Sequence, residues 1–215
     1  MDSSLASGVV VRPARPADVV GVRALTAPYV DCRFIVAKPP VAYYESVQEF
    51  VVAVVGERVV GCGALHVMWA DLAEVRTLAV LPEYRGAGIG HLILEALVAR
   101  ARDLRLERVF CLTFEADFFR RHGFGEIAGT PVTPRVYAEL LRSHDDGVAE
   151  FLDLARVKPN TLGNTRMLLY LVTDHAAPVD DAGEADSAGV SGTGAANLTV
   201  AGSAPSTGRS APEHR

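Results

Sequence analysis

Cysteine is scarce and scattered: Cys32, Cys62 and Cys111 are the only three in 215 residues, and no two form a C-x-x-C pair. An odd, dispersed set excludes a disulfide-built scaffold and suits a reducing cytoplasm. The six histidines show no H-E-x-x-H or related ligand spacing, so no metal is expected. Basic charge is in deficit too, 21 Lys and Arg against 26 Asp and Glu, for a net charge of −5. That balance argues against a general nucleic-acid partner, which needs a basic face. Apolar runs such as Phe50–Val55 and Met167–Val172 are strand-sized, far short of a membrane span. Met1–Gly8 lacks both the basic start and the apolar stretch of a secretory leader, so an internal, soluble chain with no membrane contact is expected.

Apolar residues are plentiful, 49% of the chain, enough for one well-filled core. Ala176–Arg215 departs from this: it has no aromatic residue and Leu198 alone among Leu, Ile and Met. Such a stretch buries too little to offset its ordering entropy. The expected organisation is a flexible start over 1–8, one domain over 9–175 and a disordered Ala/Gly/Ser-rich tail over 176–215.

Within the domain, periodicity and punctuation predict alternating strands and helices. Strands are expected at Val9–Arg12, Phe50–Val55, Arg58–Met68, Glu74–Val80, Val109–Thr113 and Arg166–Val172, with a hairpin around Gly56-Glu57. Helices are expected from Asp18 to about Thr26, near Val41–Gln48, over Gly88–Leu104 and Ala116–His122, from Thr133-Pro134 to about Arg142, and in Val148–Leu154. This is a mixed α/β sheet whose ligand sits where neighbouring strands part.

The run from Leu78 to Gly90 (LAVLPEYRGAGIG) carries the most information. An extended apolar stretch ends at Pro82, turns through glycines and opens into a helix whose apolar face reads Ile89, Leu92, Ile93, Ala96, Leu97 and Leu104. The start of a helix presents unpaired N–H groups and the positive end of its dipole, a site for a pyrophosphate. Gly86, Gly88 and Gly90 let a phosphate approach the backbone, and Arg85 adds a fixed charge at the rim. A Walker loop is excluded because His91-Leu92 stands where Lys-Ser/Thr would. A dinucleotide fold is excluded by the glycine spacing and by the next strand ending in Thr113.

Arg85-Gly86-Ala87-Gly88-Ile89-Gly90 fits R-x-x-G-x-G and resembles the acetyl-CoA loop of the GNAT acetyltransferase superfamily. Val11–Asp18 looks like that family's opening strand and helix start, and Glu115–Phe124 like its second motif block; the similarity covers about residues 9–173. The resemblance implies the GNAT fold, a mixed sheet with splayed strands flanked by helices, and acetyl-CoA as co-substrate. It places Arg85, Gly86, Ala87, Gly88, Ile89, Gly90 and His91 on the diphosphate, and the backbone of Leu78, Ala79 and Val80 along the pantetheine arm. It also implies Glu74 as the general base for the acceptor amine, a role that partial burial favours by raising a carboxylate's pKa. The position where many relatives carry an acidic tyrosine is Phe119 here, so no general acid is identified.

Strand alternation puts Glu74, Arg76, Leu78 and Val80 on one face and Val75, Thr77 and Ala79 on the other. Glu74 and Arg76 are then neighbours in an otherwise apolar strand, either an ion pair or catalytic machinery. Asp71–Gly86 and Val109–Phe114 resemble stand-alone N-acetylglutamate synthases, which implies acetylation of the α-amine of glutamate, the first step of arginine synthesis. Lys38, Arg76, Asn164 and Arg166 are the expected acceptor-binding residues, with Asn160 and Thr165 in the same segment. Amides in Lys158–Asn164 leave glutamine as eligible as glutamate. A protein N-terminal or small-amine acetyltransferase of the same fold, and a non-catalytic acyl-CoA-binding module, are the alternatives. A homodimer is what such folds commonly form.

Overall fold

The computed structural model describes residues 8–32, 34–157 and 163–171. Outside the described residues lie 1–7 of the expected flexible start, Arg33, the stretch Lys158–Leu162 with Asn160, Val172 at the close of the last expected strand, and the tail over 176–215.

Among the described residues, strands β1 (Val9–Pro13), β2 (Phe50–Val55), β3 (Arg58–Trp69), β4 (Leu72–Val80), β5 (Arg108–Thr113), β6 (Gly125–Glu126) and β7 (Thr165–Tyr170) form one sheet. Their order is β1-β2-β3-β4-β5-β7-β6. Every pairing is antiparallel except β4 with β5, which run parallel. That parallel contact lasts only for Leu72–Glu74 against Arg108–Phe110, after which the two strands part. Glu74 therefore stands at the fork of the sheet.

Helix α3 (Ile89–Asp103) lies on one face with α4 (Ala116–Arg120). The other face carries α1 (Val19–Asp31) and α2 (Pro40–Glu45) over β2–β4, and α5 (Pro134–Leu140) and α6 (Asp146–Phe151) over β4, β5 and β7. Thr133 caps α5 as its sequence predicts, accepting from the Val136 N–H at 3.3 Å. Helix α3 descends onto β3 because Gly61 and Gly63 lack side chains: a Cβ there would stand 2.7 Å from Ile93 and 2.9 Å from Ile93 and Leu97 respectively. Ile93 is fully buried in that contact, so Ile93→Ala carries a cost of roughly 3 kcal/mol. The seating fixes where the start of α3, and with it the glycine loop, stands relative to β4.

Two expectations about faces are corrected. The buried stripe of α3 is Ile89, Ile93, Leu94, Leu97, Val98 and Ala101, while Leu92 and Leu104 are exposed. In β4 the simple alternation fails at a bulge: Cys62 pairs with Ala79 but Ala64 with Arg76, so two residues, Thr77 and Leu78, face Gly63 alone. Thr77 adopts φ 56°, a rare conformation for a β-branched residue. Leu78 and Val80 consequently join Ala73 and Val75 in the core beneath α3, opposite the face that carries Glu74.

Helix α1 continues through Pro28 to Asp31, beyond its expected end at Thr26. The added turn brings Tyr29 to the end of β4, where its hydroxyl donates to the Val80 carbonyl.

Candidate active site

The glycine loop and the fork of the sheet lie toward the two ends of β4. After β4, Pro82–Tyr84 makes a single tight turn, and Gly86 and Gly88 follow with φ 79° and 80°. An alanine at either position would be strained by that backbone conformation, although the space around both Cα atoms is open. Gly88 caps α3, and Leu92 is the first N–H to reach back into the helix, to the Gly88 carbonyl at 3.1 Å. The N–H groups of Ile89, Gly90 and His91 therefore have no acceptor within the helix and are left for an anion. Gly90 has ordinary room for a side chain, its Cβ position lying 3.7 Å from Phe118.

Arg85 stands at the rim, its guanidinium stacked 5.3 Å over Tyr29 and donating to the Tyr29 hydroxyl at 2.9 Å. Exposed His91 pairs with His122 at 2.8 Å and with Glu95 at 3.2 Å. On β4 the Leu81 N–H bonds the Val60 carbonyl of β3. Antiparallel alternation then turns Val80's backbone groups to the free edge, into the fork, and turns Ala79 toward Cys62. Val80 thus offers its ladder N–H to an extended ligand in the fork, its carbonyl being taken by the Tyr29 hydroxyl; Ala79 has β3 as its partner.

At the other end Glu74 is 3% exposed, and its Oε2 is buried with no hydrogen-bond partner. Arg76 Nη1 is the nearest cation, 3.8 Å away. Burial raises the Glu74 carboxyl to about 7, Arg76 opposing the shift and Glu150 and Asp145 adding to it. Arg76 itself is held from two sides, donating to Asp145 at 2.8 Å and to Glu49 at 3.0 Å. His66 Nδ1 lies 2.8 Å from the other Glu49 oxygen. Against the cost of burial, His66 and Arg76 keep Glu49, and Arg76 and His66 keep Asp145, below the usual carboxylate range.

Lys38 joins this cluster from the α1–α2 loop; it is half-buried, and burial followed by the charge of Arg76 lowers its ammonium pKa. Glu150 on α6 is buried as well and titrates at about 7, through burial and then Asp146 and Asp145. Across the fork on β7, Arg166 lies 5.9 Å over the Phe110 ring, with its Nε buried and unpartnered. Asn164 stands just before β7. The expected residues Lys38, Glu74 and Arg76 are thus brought together, and Arg166 enters the same face of the sheet. Glu49, His66, Asp145 and Glu150 were not anticipated. Only His66, a polar residue within a long apolar strand, left a local signal.

Phe119, at the position where a hydroxyl is missing, is buried with its ring edge-on to Phe118 and Phe124, each 5.2 Å away. Cys62 and Cys111 are buried free thiols and Cys32 is exposed. Among the described residues, no group of three His, Cys, Asp or Glu is arranged to hold a metal, and no helix is long and apolar enough to cross a membrane.

Comparison with known proteins supplies the family. The amino-acid acetyltransferase of Mycobacterium tuberculosis (strain H37Rv) is 57% identical over 165 residues, covering 75% of this chain and 94% of that protein. The chain belongs to the GNAT acetyltransferase family. The family's own sequence model, an acetyltransferase (GNAT) domain, matches residues 46–126, from the end of α2 through the glycine loop to β6. The amino-acid acetyltransferase of Pseudomonas putida is 32% identical over 133 residues, which are 61% of this chain and 31% of that longer protein.

Among solved structures, Rv2747 of Mycobacterium tuberculosis, determined in complex with CoA and NLQ, superposes with a TM-score of 0.74 at 57% identity. It covers 76% of this chain and is itself covered to 99%. The N-acetylglutamate synthase of Neisseria gonorrhoeae, complexed with coenzyme A and N-acetyl-glutamate, gives 0.62 at 20% identity over 77% of this chain and 35% of its own, a likeness of fold. This GNAT protein is an acetyl-CoA-dependent amino-acid N-acetyltransferase, and acetyl-CoA is its co-substrate. The cleft fits that molecule: open space over two left-handed glycines for a diphosphate, and a free strand edge for an amide-bearing arm.

Proposed function

We propose that the enzyme transfers acetyl to the α-amine of L-glutamine or L-glutamate by direct attack within a ternary complex, opening arginine biosynthesis in the cytoplasm. The observation that carries this reading is Glu74: a carboxylate with an unpartnered oxygen, buried at the fork of β4 and β5, titrating near neutrality. An amino acid arrives largely as its ammonium form and is not a nucleophile until it loses a proton. Glu74 takes that proton, directly or through one water.

The amine nitrogen then bonds the thioester carbonyl carbon, and the oxyanion is met by a backbone N–H on the free edge of β4. Collapse breaks the C–S bond. The coenzyme thiolate, with a pKa near the free cysteine value of about 8.5, leaves with a proton from solvent, since Phe119 offers none. Leu78 and Val80 line the pantetheine arm, and Arg85, Ala87 and the N–H groups of Gly86, Gly88, Ile89, Gly90 and His91 hold the diphosphate.

Lys38, Asn164 and Arg166 bind the acceptor. Arg166 lies across the fork with its Nε buried and unpartnered, as Arg76 Nε also is, and is assigned to the α-carboxylate. Arg76 already balances Asp145 and Glu49, so it offers a second carboxylate little. That neutralisation favours an amide side chain, and with it glutamine over glutamate. A thiol-release assay with acetyl-CoA and a panel of amino acids tests the proposal. Turnover with glutamine above glutamate is expected; turnover with peptides or simple amines alone would remove it.

A further inference from the structure

The least explained contact in the molecule is between Glu74 and α6. A Cβ built on Gly147 would stand 2.0 Å from Glu74 Oε2 and 2.8 Å from its carboxyl carbon. Real Cβ atoms essentially never come that close, so any larger residue at 147 must displace the Glu74 carboxylate, which is only 3% exposed. Gly147 has no positive φ to account for its identity; the need is for space. The helix is pinned in that position by its cap: Asp145 accepts the Val148 N–H at 3.1 Å through one oxygen and Arg76 Nη1 at 2.8 Å through the other. Arg76 lies two residues from Glu74 on β4. The first turn of α6 is thus tied to the strand whose carboxylate it covers, and Phe151 at its far end is fully buried against Phe110, ring centroids 5.2 Å apart.

We infer that Gly147 is a positioning residue for the acetyl-transfer reaction: its bare Cα lets α6 close on Glu74 and strip water from one carboxylate oxygen. The inference rests on Glu74 being the base, but the contact itself does not. Desolvation is the largest influence on Glu74, and Gly147 of α6 lies against one of its carboxylate oxygens. The charged and titratable groups around Glu74 are Arg76 on its own strand, His66 on β3, Cys111 on β5, Asp145 and Glu150 with α6, and Lys38 from the α1–α2 loop. Of the cations, Arg76 is already shared with two other carboxylates. Burial under α6 therefore prevails over attraction, and Glu74 keeps a proton affinity matched to an amine substrate near pH 7.

A double-mutant cycle on thermal unfolding of the full chain tests the contact without reference to activity. Gly147→Ala lowers the unfolding midpoint when Glu74 is present. In a Glu74→Ala background the same change costs much less, because the main obstacle is gone, Asp145 Oδ1 at 3.0 Å is the remaining close neighbour, and alanine is the better helix former. Should Gly147→Ala alone not fold, the double variant still does, and that outcome also supports the contact. Equal effects in both backgrounds would overturn it.

Carbon-13 NMR of the Glu74 carboxyl, assigned with Glu74→Gln, tests the consequence. Its midpoint near 7 falls by about one unit or more in folded Gly147→Ala as water enters. The acid limb of kcat moves down with it, while KM for acetyl-CoA stays put. A midpoint unmoved in folded Gly147→Ala would sink the inference. Full turnover by Glu74→Gln at pH 7 would instead remove the base assignment and leave the cycle standing.

Discussion

The two ends of β4 work by different means. At the Val80 end the site is made of backbone: N–H groups at the start of α3, a free strand edge and two left-handed glycines, all within one continuous segment. At the Glu74 end it is made of side chains drawn from the α1–α2 loop, the start of β2, β3, β4 and α6, whose charges balance only when all are present. A coenzyme common to many acetyltransferases is read by groups every residue possesses. An acceptor particular to one enzyme would, on the proposed reading, be met by groups that only this assembly brings together. The first end tolerates changes of side chain and resists changes of backbone conformation; the second does the reverse.

Three variants probe that division. The largest effect belongs to Glu74→Gln, which keeps shape and removes the proposed base. A loss of roughly 10²–10³-fold in kcat at pH 7 is expected, shrinking at pH 9 where more of the amine is already neutral, with KM for acetyl-CoA unchanged. The pH profile of the parent enzyme gives the sign: as the proposed base, Glu74 has to be deprotonated, so kcat is expected to rise as pH increases through about 7. A profile without that limb would break the assignment.

Arg76→Ala comes next and should act on stability as much as on binding. It leaves Asp145 and Glu49, both half-buried, without the guanidinium between them. A cost of about 2 kcal/mol is expected, part of it screened by solvent, and visible as a lower denaturation midpoint. A stable variant with only the glutamine KM raised would show that Arg76 serves the substrate rather than the network.

The smallest effect is at the other end. Gly88→Ala puts a Cβ on a residue with φ 80°, costing about 1–2 kcal/mol. It should raise KM for acetyl-CoA roughly tenfold and leave the acceptor KM alone. Raised acceptor KM with acetyl-CoA binding intact would dissolve the distinction between the two ends.

How far the sequence can be read follows the same line. Glycines at 86 and 88, the proline before them and the apolar face after them are local signals, and the strand–loop–helix they predict is present with boundaries nearly unchanged. Thr133-Pro134 likewise announced a capped helix. The faces of β4 were misread because a bulge at Thr77 inserts one residue, and nothing in Arg76-Thr77-Leu78 announces a positive φ. The partners of Arg76 could not be read at all: Glu49 and Asp145 lie 27 and 69 residues away along the chain.

By itself, the chain's order of residues determined the mixed α/β plan, the anion-binding helix start and the presence of a carboxylate in the strand leading to it. Those depend on hydrophobic period, turn chemistry and backbone freedom, which act over a few residues. Tertiary structure alone decided that β4 and β5 separate at Glu74, that Arg76 is neutralised before any substrate arrives, and that α6 closes on the carboxylate through Gly147. Burial and Coulomb energy depend on distance through space, and only the folded chain sets those distances.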